Sequence, residues 1–469
     1  MSENFGLKRV LGLGELVGIE VGTTVGAGIF SLTALAASMT GPSVPLAYLA
    51  AAVPIVFIMM TVAMLGSAMP TVGGTYRYPS RLYSPLWATV GVWCYALGLV
   101  FGALPMYATE CIYYLRPIWP NVPVKPAAIA LLAFFYLLNL AGVELAASIQ
   151  AGMVVVLIVA LLVFGIGGMP TIDPGHFSPL FAGGAGGFVL AACILTFALQ
   201  GSNSVIELGA EIKRPGRNIP LSLLISIPLV AALYILIAVA AVGNFDIASW
   251  KAMDHADLTQ PAQAFLSRPL FVFFLIGGAI FAFTTTLNGT MMWATKSLMV
   301  VASDGIMPAF LAKTTKKGAP WVFLTILFVA AVIAVLLNAG IRTFASYATI
   351  GGMIIFIPSM IAAILLPRRA PELYNCPGFR LRGLMLYLAP AIGIVTSALL
   401  ILILCVDLGA WCLPFLGWLG LGFAFYFLRK RVIERETGMS FRDLMRADLQ
   451  RMIVECREEL RKETKPQPS

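Results

Sequence analysis

The sequence predicts an all-α integral membrane protein of about twelve transmembrane helices, and three observations carry that prediction. Hydrophobic residues make up 59% of the chain and charged residues only 11%, against roughly 25% charged in a soluble domain. A hydrocarbon core needs about 20 apolar residues per helix, and about twelve such stretches follow one another with no polar domain between them. Lys and Arg are distributed over the connections so unevenly that they fix an orientation.

The spans lie near 13–38, 44–65, 86–115, 124–141, 146–168, 187–209, 219–243, 269–300, 320–338, 344–366, 384–407 and 410–428. Nothing before residue 13 reads as a cleavable signal, because the apolar run that follows is too long for a signal-peptide core. Residues 1–12 are then a cytoplasmic N-terminus, and span 1 is its own insertion signal. With that end inside, only Arg116, Lys125, Lys251, Arg268 and Arg342 of the 31 Lys and Arg remain on the outer side. This is the positive-inside pattern. An even number of spans returns the basic C-terminal tail to the cytoplasm. The net charge of +9 is thereby explained by the lipid bilayer and calls for no nucleic acid. Both histidines, His176 and His255, fall in outer loops, which excludes a histidine-based metal or catalytic centre within the membrane. Five of the seven cysteines (Cys94, Cys111, Cys193, Cys405 and Cys412) lie inside spans, so no disulfide framework is implied.

Span 1 contains Gly22-Thr-Thr-Val-Gly-Ala-Gly-Ile-Phe30, three glycines in seven residues. Broken helix survives in hydrocarbon only where protein or a water-filled cavity satisfies the freed N–H and C=O groups. The segment therefore marks a cavity at membrane depth, although Gly22 and Gly26 also have the spacing that lets membrane helices pack closely. Span 6 breaks too. Leu195-Thr-Phe-Ala-Leu-Gln-Gly-Ser-Asn-Ser204 sets five polar or flexible residues in a row at bilayer depth. The two breaks each open a set of five spans. Interrupted helices at matching positions of two halves point to the midplane site of an inverted-repeat transporter. The halves are residues 13–168, spans 1–5, and residues 169–366, spans 6–10 with an outer loop at 169–186. Residues 367–428 add spans 11 and 12, and 429–469 form a tail.

Five segments carry a family resemblance. Gly26-Ala-Gly-Ile-Phe30 resembles the unwound segment of the amino acid–polyamine–organocation superfamily. Pro70-Thr-Val-Gly-Gly-Thr-Tyr-Arg-Tyr78, Ala210-Glu-Ile-Lys-Arg-Pro-Gly-Arg-Asn-Ile-Pro220, Ser303-Asp-Gly-Ile-Met-Pro308 and Arg368-Arg-Ala-Pro-Glu-Leu373 are similar to its loops after helices 2, 6, 8 and 10. They occur in family order across the membrane domain. The resemblance implies a LeuT-type fold, two inverted five-helix repeats with two peripheral helices, and amino acid transport in the cell membrane.

The breaks themselves suggest the site chemistry. The outer half of span 1 starts with unpaired N–H groups at the positive end of a helix, which favours a carboxylate. Ala27 and Gly28 are the expected donors, with Gly26 beside them, because small side chains permit close approach. The inner half ends in unpaired carbonyls, a seat for an ammonium. By the resemblance, Thr23 and Thr24 of span 1 and Phe197, Ala198, Gln200 and Gly201 of span 6 hold such positions, and Phe197 aligns with an aromatic gate. Gln200, Ser202 and Asn203 are candidates to meet a polar side chain. Tyr95, Val100 and Thr290 sit where relatives line the pocket, although ordinary helix packing explains Tyr95 and Thr290 equally well. No acidic residue clearly faces this pocket, which favours a neutral amino acid over a cationic one. An exchanger that includes cationic substrates is the alternative, and a non-transporting amino acid sensor belongs to another class.

No cofactor is expected beyond a coupling ion. Some proton-coupled relatives carry a lysine in helix 5 where this chain has Leu157, and Met64 replaces an acid often found before the helix-2 proline. Thr285 and Thr286 align with hydroxyl ligands of sodium-dependent relatives, and carbonyls around Gly22 and Thr23 would complete the cage. Threonines also bond back to their own helix. Glu20, in the inner half of span 1, is the candidate proton site. A charge at mid-bilayer costs about 2.5–3.5 kcal/mol, so Glu20 needs water or a partner, and pairing with Lys296 or another cytoplasmic-side base is the structural alternative to titration. Ion-independent exchange is the third option. The tail shows apolar residues at helical spacing from Phe441 through Leu444, Met445, Leu449, Met452, Ile453 and Cys456 to Leu460. It is expected to lie on the membrane surface, to pack against the cytoplasmic loops, or to remain solvated. Two other classes are disfavoured: spans 9–12 lack the polar path of a channel, and no carboxylate pair serves an intramembrane enzyme.

Overall fold

The computed structural model describes residues 9, 11–26, 28–141, 143–253, 257–315, 319–376 and 378–463, with side chains at all of these except 143–151, 203, 309, 312 and 455–463. Among the described residues there is no strand, only the isolated bridges Leu11 to Ile212 and Val72 to Leu208.

Span 1 is α1 (Leu13–Thr24), a break, a π-helical turn (Gly28–Leu32) and α2 (Thr33–Thr40). Gly41-Pro-Ser43 turns the chain into α3 (Val44–Ala68), span 2. After the short connecting helix α4 (Gly74–Leu82), span 3 is α5 (Pro85–Gly98), a second π turn (Leu99–Ala103) and α6 (Leu104–Tyr113). Spans 4 and 5 are α7 (Val124–Ala141) and α8 (Val143–Gly168). Span 6 is α9 (Gly184–Ala198), a 3-10 turn (Gln200–Asn203) and α10 (Ser204–Glu207); α11 (Pro215–Gly243) is span 7. The connecting helices α12 (Ile247–Ala252) and α13 (Thr259–Phe265) precede span 8, which is α14 (Arg268–Phe273), a third π turn (Phe274–Ile280) and α15 (Phe281–Ser303). Then come α16 (Trp321–Leu337), α17 (Ile341–Arg369), short α18 (Pro371–Asn375), α19 (Met385–Leu408), α20 (Cys412–Thr437) and the tail helix α21 (Phe441–Glu463).

Nine continuous stretches among the described residues are long and apolar enough to cross a bilayer, and the protein is a multi-pass membrane protein. Two of them, Leu13–Ala68 with 56 residues and Met385–Thr437 with 53, each exceed twice the about 20 residues that one crossing needs. Leu224, Val395 and Val406 face outward, as apolar side chains do when the solvent is hydrocarbon. Spans 3 and 10 approach backbone to backbone. A Cβ on Gly98 would stand 2.9 Å from the Tyr347 carbonyl oxygen, and one on Gly102 would stand 2.6 Å from the Ala348 nitrogen.

Two differences from the sequence reading have simple causes. The helix of the last span runs on past residue 428, because no breaker occurs before Gly438, whose φ of +69° ends α20 in the left-handed conformation. Residues 429–437 thus continue the helix of the last span into the tail. Cys376, in the connection after α18, is disulfide-bonded, so cysteine placement within spans was an incomplete guide.

The connections expected inside meet on one face. Leu11 exchanges backbone hydrogen bonds with Glu211 and Lys213, Lys296 pairs with Glu211 at 2.5 Å, and Arg429 donates to the Gly305 and Ile306 carbonyls. On the opposite face Lys125 donates to the Leu336 carbonyl, Arg342 pairs with Asp407, and His176 lies 3.0 Å from the Gly243 carbonyl. The tail helix packs against α4, α5, α18 and α20, burying Phe441, Met445, Leu449 and Ile453; Cys456 and Leu460 have side chains outside the described residues.

Arg81 of α4 holds that face together. Its guanidinium engages both oxygens of Asp304, at 2.5 and 2.8 Å, and Asp448 of the tail at 2.9 Å, with its side chain 1% exposed. Removing one partner of a buried ion pair strands the others without compensation, at a cost of about 3–5 kcal/mol. Arg81→Ala is therefore expected to lower the melting temperature of purified protein more than Arg429→Ala. It should also expose the 437–441 segment to limited proteolysis.

Candidate functional site

The two breaks lie against each other, and glycine makes the approach feasible. A Cβ on Gly201 would sit 2.4 Å from the Thr24 Cα and 2.5 Å from the Thr23 carbonyl oxygen. One on Gly28 would sit 2.6 Å from the Ala198 Cβ, and one on Gly26 would meet the Thr286 hydroxyl at 1.5 Å. Side-chain hydroxyls knit the seam. Thr23 Oγ1 donates to the Gly201 carbonyl at 3.0 Å and lies 3.3 Å from Ser204 Oγ, while Thr24 Oγ1 lies 3.3 Å from Ser202 Oγ. Tyr234 of α11 reaches both spans, its hydroxyl standing 2.5 Å from the Thr24 carbonyl oxygen and 3.1 Å from that of Ala198.

A cavity opens beside this seam, with about 560 Å³ of empty space including its mouth. Thr23, Thr24, Gly28, Ala198, Gln200 and Gly201 form its wall on the broken spans; Thr286, Thr290 and Trp293 come from α15. Span 3 contributes Tyr95, Gly98, Leu99, Ala103 and Tyr107, and Ala348 of α17 completes it. Phe197 covers one end and stacks on Tyr107, centroids 6.3 Å apart, while Tyr95 stacks on Trp293 at 5.9 Å. None of the sixteen lining residues carries a charge.

A family model described as amino acid permease matches residues 11–411. The chain belongs to the amino acid permease family. It is 25% identical over 458 residues to a branched-chain amino acid permease of Bacillus subtilis (strain 168), covering 91% of this chain and 94% of that one. A methylthioribose transporter of the same organism is 25% identical over 453 residues, 92% of this chain and 95% of its own. A vacuolar cationic amino acid transporter of Arabidopsis thaliana is 26% identical over 337 residues, 66% of this chain and 55% of its own. The family is one of permeases and not of enzymes.

In this permease, ten of the residues singled out from sequence border the cavity: Thr23, Thr24, Gly28, Tyr95, Phe197, Ala198, Gln200, Gly201, Thr286 and Thr290. Gly26 is buried behind it, against Thr286. Ala27 and the Asn203 side chain lie outside the described residues. Val100 is buried but does not line the cavity, whereas Leu99 and Ala103 do. The π turn across Leu99–Ala103 inserts an extra residue and rotates the register that a regular helix would have had. Tyr107, Trp293 and Tyr234 were missed. Trp293 was accessible in principle, one helical turn beyond Thr290.

The proposed ion residues fare differently from one another. Gly22 packs closely on α8, where a Cβ would meet Val154 at 2.5 Å. Thr285 and Thr286 donate to carbonyls of their own helix, Phe281 and Ala282, at 2.7 and 2.8 Å. Thr23 has the Ile19, Glu20 and Gly201 carbonyl oxygens within reach of its single hydroxyl proton. Glu20 is fully buried, but Lys296 is not its partner, since that ammonium pairs with Glu211. Ser222 and Ser226 of α11 donate to its two carboxylate oxygens instead. Glu20 points from α1 toward α11, away from the helix that carries Lys296.

The seam admits a direct test. Gly201→Ala places a methyl carbon against the backbone of span 1, so purified Gly201→Ala should melt lower than wild type and lose ligand-induced stabilisation. Gly14→Ala, where nothing lies within 4 Å, should be neutral or stabilising, by up to about 1 kcal/mol.

Proposed function

We propose that this permease carries a neutral amino acid across the cell membrane by alternating access, with both termini in the cytoplasm. The observation that carries the reading is an uncharged cavity set between two helix breaks. A zwitterion needs one seat for an anion and one for a cation, and broken helices supply both from backbone. The N–H groups from Gly28 onward, at the start of a helical run to Thr40, suit the carboxylate. The carbonyls at the ends of α1 and α9 suit the ammonium, each oxygen having a second lone pair beyond any bond it already accepts. No acid lines the cavity to neutralise a basic side chain, which favours an uncharged side chain over the basic one named for the cationic relative.

The topology that goes with this reading counts each of the two longest apolar stretches as two crossings and Trp321–Leu337 as one more. Twelve spans result, in two inverted repeats at 13–168 and 169–366 with spans 11 and 12 outside them. The positive residues gathered on the face of Leu11, Arg81 and the tail favour a cytoplasmic assignment for that face.

For coupling, we favour a proton over sodium. Glu20 is a buried carboxylate held by two serine hydroxyls, with no cation paired to it among the described residues. An uncompensated charge at that depth is costly, so proton uptake offers it a neutral state. The candidate sodium ligands Thr285 and Thr286 give their hydroxyl protons to their own helix and keep lone pairs free for a cation, so the preference for a proton rests on Glu20.

Three outcomes are expected. An amino acid amide, lacking the carboxylate, should bind more than tenfold more weakly than its parent acid, a difference above about 1.4 kcal/mol; equal binding would remove the span-1 break from the site. Phe197→Ala should slow uptake into proteoliposomes far more than it weakens binding, with Phe197→Trp closer to wild type. An inward proton gradient should stimulate uptake into vesicles free of internal amino acid, and Glu20→Gln should abolish that stimulation. Stimulation by sodium alone, or uptake that requires internal amino acid and ignores both gradients, rules out the proton site.

A further inference from the structure

We propose that Gln200 and Trp293 form a donor pair that selects, among neutral amino acids, those whose side chain bears an uncharged hydrogen-bond acceptor, a hydroxyl or a carboxamide oxygen. The proposal rests on the cavity being the substrate site, and it narrows the substrate class within that reading.

Two residues bordering the cavity, Gln200 and Trp293, carry side-chain nitrogens, Nε2 and Nε1, that are buried and lack a hydrogen-bond partner. Buried polar groups are nearly always paired, so two orphans on one cavity call for a ligand atom. An indole N–H donates and cannot accept. Whatever meets Trp293 must therefore be an acceptor. Gln200 is 6% exposed, and its carboxamide lies over Gly352 of α17, where a Cβ would come within 1.9 Å of Oε1. That glycine gives the side chain its room. Trp293 is held by its stack on Tyr95, with ring planes 22° apart.

Both residues belong to the part of the cavity nearer the face of Arg81 and the tail. Gln200 follows the end of α9, and Trp293 lies one turn further along α15 than Thr290. Phe197 and Tyr107 close the other end. The backbone seats at the breaks read only the carboxylate and ammonium common to every amino acid. Discrimination falls to the remaining wall, where these two donors stand among Gly98, Leu99 and Ala348. A wholly aliphatic side chain would leave both buried donors unpaired, whereas an acceptor would satisfy them, and a site built to hydrogen-bond its substrate rejects the analogue that lacks the group. A cationic side chain would bring more donors to donors.

Threonine and valine test this directly, since they differ by a hydroxyl in place of a methyl. Titration calorimetry on purified full-length protein should give an affinity for threonine at least tenfold higher than for valine, and likewise for asparagine over leucine. Gln200→Leu and Trp293→Phe, the latter able to keep the stack on Tyr95, should each bring those ratios toward one. Equal affinities in wild type, as expected if the donors merely hold a water, overturn the proposal. So do ratios that survive in both variants. The wild-type ratios need no variant to fold. If no amino acid binds at all, the transport reading itself fails, whereas binding without selectivity sinks only the donor pair.

Discussion

The structure depends on one close approach, that of the helix break in span 1 to the break in span 6. Gly28 and Gly201 leave no room for a side chain, and the distance they permit lets the hydroxyls of Thr23, Thr24, Ser202 and Ser204 join the two strands of irregular backbone. Irregular backbone at membrane depth is otherwise prohibitively unsatisfied. Here each broken span supplies part of what the other lacks, and what is left unpaired faces a cavity. The neighbouring spans adapt to this seam. Span 3 relaxes into a π turn beside it and presents Leu99 and Ala103, and α11 sends Tyr234 into it.

Much of this was legible in the sequence because its physical causes are local. Runs of apolar residues, three glycines in seven and five polar residues in span 6 each declare themselves without knowledge of the fold. The charged connections sorted themselves onto two faces for the same reason. What stayed hidden depends on how helices are rotated about their axes. Glu20 was paired with Lys296 on the grounds of depth, but depth does not say which way a side chain faces; it turns to Ser222 and Ser226, and Lys296 to Glu211. Val100 gave way to Leu99 and Ala103 because one extra residue in a turn shifts every position after it. Tyr234 could not be inferred from span 7 at all, since nothing near it in the chain marks it as polar equipment of a site two spans away. The threonines of the possible sodium site also bond back along their own helix, a detail of side-chain orientation that spacing does not give.

The electrostatic design separates two tasks. Within the cavity, charge is handled by peptide dipoles and neutral side chains, so no fixed ion competes with a zwitterion for its partner. At the face that carries the tail, fixed ions do the work of assembly. Arg81 binds Asp304 and Asp448, Lys296 binds Glu211, and together they tie the connections after spans 2, 6 and 8 to the C-terminal helix. The tail is thus part of the packed body and not an appendage. Its apolar stripe covers α4 and α20, and its one buried acid contact completes the coordination of a guanidinium that already serves another loop.

Tyr234 has a consequence beyond its place in the seam. Its hydroxyl has a single proton and two carbonyls within reach, on spans that belong to different halves of the chain. It cannot donate fully to both at once. If span 1 slides a little relative to span 6, the proton can swing from one oxygen to the other, and a bond is exchanged where a rigid one-to-one link would have been lost. The contact behaves as a bearing: it keeps the halves in register while costing little to turn.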